Sequence, residues 1–308
     1  MRLRDLCGGL LLLASASLPA CAQKAWLFAY FKEPANQGIY LAISHDGYHF
    51  TALNDGQPWV KPQEPGEIMR DVFLTRGPDN KFHIVWTWGW HGKSLGYADS
   101  PDLLHWSAQK EIPIMQDYAE ARNVWAPETY WDAKKHKWLL IWSSSMNHSD
   151  AGNRIYSSLT ADFQTFSKPS IFFDPGYVVI DATIFHASKK YYLVFKDQTP
   201  DPLRYQVRYA TGPTLEGPWT HIAAPLTESW SEGPSVIHVG KEFIVYYDHY
   251  RAPARYEGVE STDWRHWESI DGKMSLSEHC KHGSFLEITP QEAARLEARH
   301  DAAVSEAK

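Results

Sequence analysis

An all-β fold, a five-bladed β-propeller, is predicted by three observations. The chain repeats itself at about 50 residues. Its apolar residues fall in runs of four to six bounded by Gly, Asp, Asn and Pro. No long 3.6-residue periodicity occurs before residue 290.

Each repeat opens on an acidic residue 10 or 11 positions before an aromatic-aliphatic run. Asp71 precedes Phe82–Trp86, Glu128 precedes Trp138–Trp142, Asp181 precedes Tyr191–Phe195 and Glu232 precedes Phe243–Tyr247, the acids lying 57, 53 and 51 residues apart. A small strand, a Ser/Thr/Asp-rich turn and an aromatic residue then close the unit. The closing aromatics are Phe50, Trp106, Phe166, Trp219 and Trp267, at intervals of 56, 60, 53 and 48. Units of this length, each holding several short strands, suit four-stranded propeller blades.

Five closing elements and four opening ones do not match in number. The strand-like run around Trp26–Phe31 lacks an opening strand, and Ser284–Ile288 lacks a following partner. Paired, they complete a fifth blade, close the ring and remove the free sheet edges. The propeller is therefore expected over residues 24–289. Residues 290–308, rich in Glu, Ala, Arg and Lys, read as a polar tail, a short helix or disordered.

Composition sets outer limits. The 308 residues are 44% hydrophobic and 22% charged, which is globular rather than disordered chemistry. A net charge of −7 with no basic block argues against a nucleic-acid partner. Trp 14, Tyr 16 and Phe 13 are high counts with two readings: a β-rich core, or flat rings that pack on sugar faces.

The N-terminus reads as a secretory signal over residues 1–22, with Arg2 and Arg4 before an apolar stretch from Leu6 to Ala16 and a small-x-small site at Ala20-Cys21-Ala22. The expected location is periplasmic or extracellular. Leu18-Pro19-Ala20-Cys21 also resembles a lipoprotein box, which would anchor the chain at Cys21. The apolar stretch is too short for a membrane span, and no other run is long enough. Cys280 has no partner but Cys21, so no disulfide framework is expected.

The inner strand of each blade lines the channel, so the opening acids are expected to converge on the axis. One acid can then protonate a glycosidic oxygen while one base activates water from the opposite face. A third carboxylate can raise the acid's pKa. The bland alternative, a solvated acid before a strand, weakens when four recur at matched register. No Gly-x-Gly-x-x-Gly, phosphate-binding Gly-Lys-Ser/Thr loop, His-Glu-x-x-His or Gly-x-Ser-x-Gly is present. His279-x-x-His282 has no Cys or His partners nearby and is read as coincidence rather than a metal site.

From about Trp26 to Thr289 the chain resembles glycoside hydrolase family 43 and its clan of five-bladed propellers. The resemblance rests on Trp125-Ala126-Pro127-Glu128, Ile180-Asp181 before Tyr191–Val194, Glu232-Gly233-Pro234 before Phe243–Tyr247, and His282-Gly283-Ser284, all in order at blade spacing. It implies Asp71 as general base, Asp181 as the residue that sets the pKa and orients the acid, and Glu232 as general acid. It also implies inversion of configuration, with base and acid roughly 6.5–9.5 Å apart. The family's base is commonly followed by Pro; here Val72 follows.

Further candidates are expected around these three. Arg70 would bind a sugar hydroxyl or neutralise the carboxylates. Glu128 would touch the sugar or hold the second blade's strand. Trp125 would wall the pocket or pack between blades. Of Trp86, Trp88 and Trp90, on one face of a strand, Trp90 is the better substrate contact. His282 faces the channel; in relatives the matching His helps hold a cation, often calcium, through water, and a simple hydrogen-bonded His is the alternative. No cofactor is required for the chemistry.

The leading expectation is a secreted, monomeric, exo-acting inverting glycosidase that takes an oligosaccharide or polysaccharide. α-L-Arabinofuranose is favoured over β-xylose or galactose on overall resemblance. A non-catalytic sugar-binding propeller is the main rival. A protein-interaction propeller would lack converging acids, and a sucrose- or fructan-cleaving relative would need an Asn-Asp-Pro segment near the N-terminus that is missing.

Overall fold

Five antiparallel sheets surround one axis in the computed structural model, which describes residues 24–306 apart from 65–66 and 147–148. The signal, the lipoprotein box, Cys7 and Cys21 lie outside the described residues. Blades one to four are meanders in chain order, with inner strands Arg70–Arg76, Trp125–Asp132, Val179–Ala187 and Ser231–Val239. The fifth is built from both ends of the domain. Lys281–Ile288 is its inner strand and pairs with Ala25–Phe31, so Phe28 faces Phe285 and Ala25 faces Ile288. The ring closes as the mismatch of opening and closing elements predicts.

Three blades and the closing blade have four strands. Blade three has three, and the Thr211–Thr220 bridge with the Ala223 and Leu226 N–H bonds to the Tyr209 and Val207 carbonyls marks a vestigial fourth. The apolar runs supply the second strand of every blade and are buried on both faces. Apolar residues from adjacent blades form five separate clusters, one at each seam. Trp86 and Trp142 are wholly buried there, so much of the aromatic content is core.

The closing element is a repeated side-chain turn. Ser100 Oγ accepts the N–H of Leu103 at 2.9 Å, and Asp102 Oδ1 accepts that of His105 at 2.9 Å. The same arrangement recurs at Ser44 with Asp46, Thr160 with Asp162 and Ser261 with Asp263. Asp and Ser stand there because their short acceptors satisfy turn N–H groups that the sheet leaves open.

The tail takes the helical one of its two expected forms. Pro290–Glu306 is a 17-residue helix docked on the propeller rather than a free polar segment. Thr289 and Glu292 cap it reciprocally, with Thr289 N–H and Oγ1 each 2.9 Å from Glu292 Oε2. Ala293 and Leu296 are buried in the seam between the fifth and first blades, and Glu292 pairs with Arg76 at 2.6 Å. The composition hid this because only a narrow apolar stripe is needed to dock a helix.

Candidate active site

A β-bulge near the start of every inner strand aims side chains into the channel. In blades one to four the pairing slips between Arg70 and Phe73, Trp125 and Glu128, Ile180 and Thr183, and Glu232 and Ser235. In the fifth it slips between the partners of Lys281 and Ser284. The second bulge residue is Asp71, Ala126, Asp181 and Gly233 in turn, with φ of 49°, 45°, 54° and 58°. Left-handed backbone at three non-glycine positions costs about 1–3 kcal/mol each, and such strain gathers where geometry serves a site.

This corrects the reading of four acids at one register. Asp71 and Asp181 share a register, and His282 occupies it in the fifth blade. Glu232 stands one residue earlier, beside Arg70, Trp125, Ile180 and Lys281 in their blades. Glu128 stands two residues after Ala126 and lies deeper. The bulge inserts a residue that spacing from the following strand does not reveal.

Two adjoining cavities of about 310 and 220 Å³ share Arg70, Asp71, Trp90, Glu232 and His282, and Asp181 lines the second. Three carboxylates from blades one, three and four therefore meet around one space. Asp71 accepts a hydrogen bond from Thr87 Oγ1 at 2.7 Å and lies 3.4 Å from His282 Nδ1. Asp181 accepts the Gly233 N–H at 3.2 Å and lies 3.9 Å from the same imidazole nitrogen. Gly233 is obligatory: a Cβ there would sit 2.4 Å from the His282 ring. Glu232 accepts a hydrogen bond from Lys196 Nζ at 2.8 Å.

Each blade's second strand reaches the next blade's bulge. Thr87 Oγ1 accepts the Ala126 N–H at 2.9 Å, and Ser143 Oγ accepts the Asp181 N–H at 3.0 Å. Lys196 holds Glu232, Asp248 holds Lys281 at 3.0 Å, and the Phe31 ring lies 4.6 Å from the Arg70 guanidinium. Two hydroxyls, two ion pairs and one cation–π contact thus fix the same point in all five seams.

Electrostatics separates the two aspartates. Burial alone would raise the Asp71 carboxyl, but the His282 hydrogen bond and the Arg70 charge outweigh it and leave it below its usual range. Burial pushes Asp181 up to about 6; His282 opposes the rise and Glu232 adds to it. Burial would lower His282, yet Asp181, Asp71 and Glu232 together hold it up at about 9. The site is therefore an aspartate that ionises below its usual range, an aspartate that gives up its proton only near 6, and an imidazolium between them.

A family model described as a probable glycosyl hydrolase domain, glycoside hydrolase 43-related, matches residues 22–294. The chain belongs to this family. A curated α-L-arabinofuranosidase of Bifidobacterium longum subsp. longum is 25% identical over a 184-residue alignment that covers 50% of this chain. The match spans only 17% of that protein's own length. An endo-1,4-β-xylanase structure from Bacteroides thetaiotaomicron superposes with TM-score 0.58 at 14% identity, over 85% of this chain and 93% of that one. An α-L-arabinofuranosidase from Lactobacillus brevis gives 0.52 at 17% identity, over 65% and 72%. At such identities the likeness shows a shared fold.

The other expected residues of this family-43-related domain divide clearly. Arg70 is stacked between Phe31 and Trp90, 3.9 Å from the latter ring, and pairs with Glu33 at 2.7 Å. Trp90 is 54% exposed at the cavity edge, beyond the strand that ends at Thr87, whereas Trp86 is core and Trp88 packs against it. Trp125 lines a cavity and donates its indole N–H to the Trp90 carbonyl at 2.8 Å. Glu128 touches neither cavity. It is buried against the Tyr130 hydroxyl, and burial raises it to about 8. Its Tyr130 partner in turn lies 3.2 Å from Thr183 Oγ1 of blade three.

At the place suggested for a channel cation, His282 Nδ1 faces the Asp71 and Asp181 carboxylates at 3.4 and 3.9 Å. Among the described residues no group of three or more His, Cys, Asp or Glu side chains is placed to hold a metal.

Sequence reasoning passed over Lys196, Asp248, Lys281, Thr87 and Tyr250. Lys196 and Asp248 close apolar runs, Leu193-Val194-Phe195 and Val245-Tyr246-Tyr247, and both are almost fully buried. A charge ending a buried run was the available signal, because a buried charge requires a partner. Burial raises Asp248 to about 6 against the opposing charge of Lys281.

Proposed function

We propose that this protein is an exported, inverting, exo-acting glycoside hydrolase that releases terminal α-L-arabinofuranose from plant polysaccharide side chains or oligosaccharides. The observation that carries the reading is the meeting of Asp71, Asp181 and Glu232 around one cavity in opposed electrostatic settings. Asp71, ionised and oriented by Thr87, takes the proton of the attacking water. Glu232 gives a proton to the leaving oxygen. Asp181 holds negative charge or a proton beside Glu232 and keeps the bulge of blade four in place through the Gly233 N–H. His282 offsets the carboxylates' mutual repulsion. The stacked Arg70–Trp90 pair forms the rim that a sugar meets first.

The arabinofuranose preference rests on the arabinofuranosidase relative and on overall resemblance. The signal-like N-terminus supports export, and the short loops support a pocket and a monomer. The chemistry calls on carboxylates and an imidazolium and on no cofactor.

A proton NMR time course tests this. Protein lacking residues 1–22 is given arabinofuranosyl, xylosyl and galactosyl oligosaccharides. Arabinose seen first as the inverted anomer, and missing with Glu232→Gln, is the expected result. Xylose or galactose instead would replace the sugar, the retained anomer would refute the mechanism, and binding without release would favour a sugar-binding propeller.

A further inference from the structure

A larger cavity, about 550 Å³, opens beside the catalytic one between blades four and five. Its volume lies within the range of small-molecule sites. It shares Glu33 and Lys281 with the catalytic cavity, so the two adjoin. Both lie at the same end of the ring, where inner strands begin and second strands end, as the pairing of Glu232 with Asp248 places them.

The position of this cavity relative to Glu232 is informative. Glu232 pairs across the blade with Asp248, Asp248 holds Lys281, and Lys281 is the wall between the two cavities. The step from the proposed proton donor to the second cavity is thus two side chains long. Asp248 and Lys281 are the side chains that stand between Glu232 and this space.

Its lining suits a sugar. Tyr256, Met274 and Leu276 give an apolar floor that is also part of the seam between blades four and five. Around it stand polar side chains. Arg255 is held by Glu257 and Lys281 by Asp248. The side chains of Glu278 and His279 are exposed and make no hydrogen bond or ion pair among the described residues. The Ser277 hydroxyl lies toward the Tyr30 phenol without a hydrogen bond of normal geometry. An apolar platform with polar groups still to be satisfied matches a ring that is apolar on its face and hydroxylated at its edge.

We infer that this cavity is the leaving-group site and takes the sugar unit to which the scissile residue is attached, which makes the substrate an oligosaccharide or polysaccharide rather than a small glycoside. The inference rests on the glycosidase reading and adds to it. The protein then discriminates by what it cuts the sugar from, with Met274, Leu276 and Glu278 as the determinants.

The test compares two substrates carrying one glycone. 4-Nitrophenyl α-L-arabinofuranoside has no second sugar, and arabinofuranosyl-xylotriose has one. Leu276→Trp fills the floor, and Glu278→Ala with His279→Ala changes exposed groups without disturbing the fold. For both variants kcat/KM on the oligosaccharide is expected to fall about tenfold, while the aryl glycoside changes less than about twofold. Equal losses on both substrates, or none on either, overturn the inference. Binding of the trisaccharide xylotriose, followed by NMR, separates this from failure of the glycosidase reading. If nothing is hydrolysed, xylotriose binding that Leu276→Trp abolishes still supports the site, and binding indifferent to Leu276→Trp sinks it.

Discussion

Asp71 and Asp181 occupy the same bulge position in blades one and three, with the same left-handed backbone, yet they are driven in opposite directions. Asp71 meets a hydroxyl, an imidazolium and a guanidinium, and is held ionised. Asp181 is pushed up to about 6 by burial, with the same imidazole farther off at 3.9 Å and a second carboxylate, Glu232, adding to the rise. Identical local geometry therefore supplies position only. The neighbours that face each group across the channel supply its chemistry.

The largest effects fall on the ionised side. Asp71→Asn is expected to lower kcat by about 10²–10⁴ on any substrate the protein cleaves, because it removes the acceptor for the water proton. Stopped assays with and without added azide would sharpen the comparison. Rescue by the small anion is expected for Asp71→Ala and not for Asp181→Ala; rescue of both would erase the distinction between them.

Next is the ion pair that holds Glu232. Lys196→Met leaves a carboxylate without its partner in a largely buried setting, which typically costs about 3–5 kcal/mol. Denaturant unfolding should show that loss, and kcat should fall while KM changes little. Unchanged unfolding would mean that the pair is not formed in solution.

The pH dependence of stability tests both sides at once. His282 is raised, so its contribution is complete below its unfolded value near 6.5 and is lost as pH climbs toward about 9. Melting temperature should decline over that interval, and His282→Gln should flatten the decline. Asp181 acts at lower pH: its folded form holds a proton more tightly, so stability falls as pH rises from about 4 to about 6. Asp181→Asn should remove that slope. Asp71, lowered, contributes stability above its unfolded value near 4 and loses it as pH falls further.

The smallest effect is expected at Glu128. At about 8 its carboxyl is mostly protonated at neutral pH, so Glu128→Gln is a near-isosteric change. Activity should stay within about twofold. A loss of the size seen at Asp71 would return Glu128 to the site.

The fold was legible because propeller blades repeat, and because the unpaired elements Trp26–Phe31 and Ser284–Ile288 could only complete each other. The aspartates were legible through that same repeat. The register was not, since a bulge changes where a side chain points without changing composition. That is why Glu232 and Glu128 were counted with Asp71 and Asp181. Lys196 and Asp248 were hidden differently: each is a single charge at the end of an apolar strand, and its partner comes from another blade, 36 and 33 residues away respectively. The docking of the helix Pro290–Glu306 was hidden because Ala293 and Leu296 are enough to hold it.

The most direct measurement is a ¹³C carboxyl titration of protein labelled at aspartate, with Asp71→Asn and Asp181→Asn to assign the two signals. The account predicts that Asp181 titrates near 6 while Asp71 is already ionised below the usual aspartate range. Two signals titrating together near 4, or in the reverse order, would contradict it.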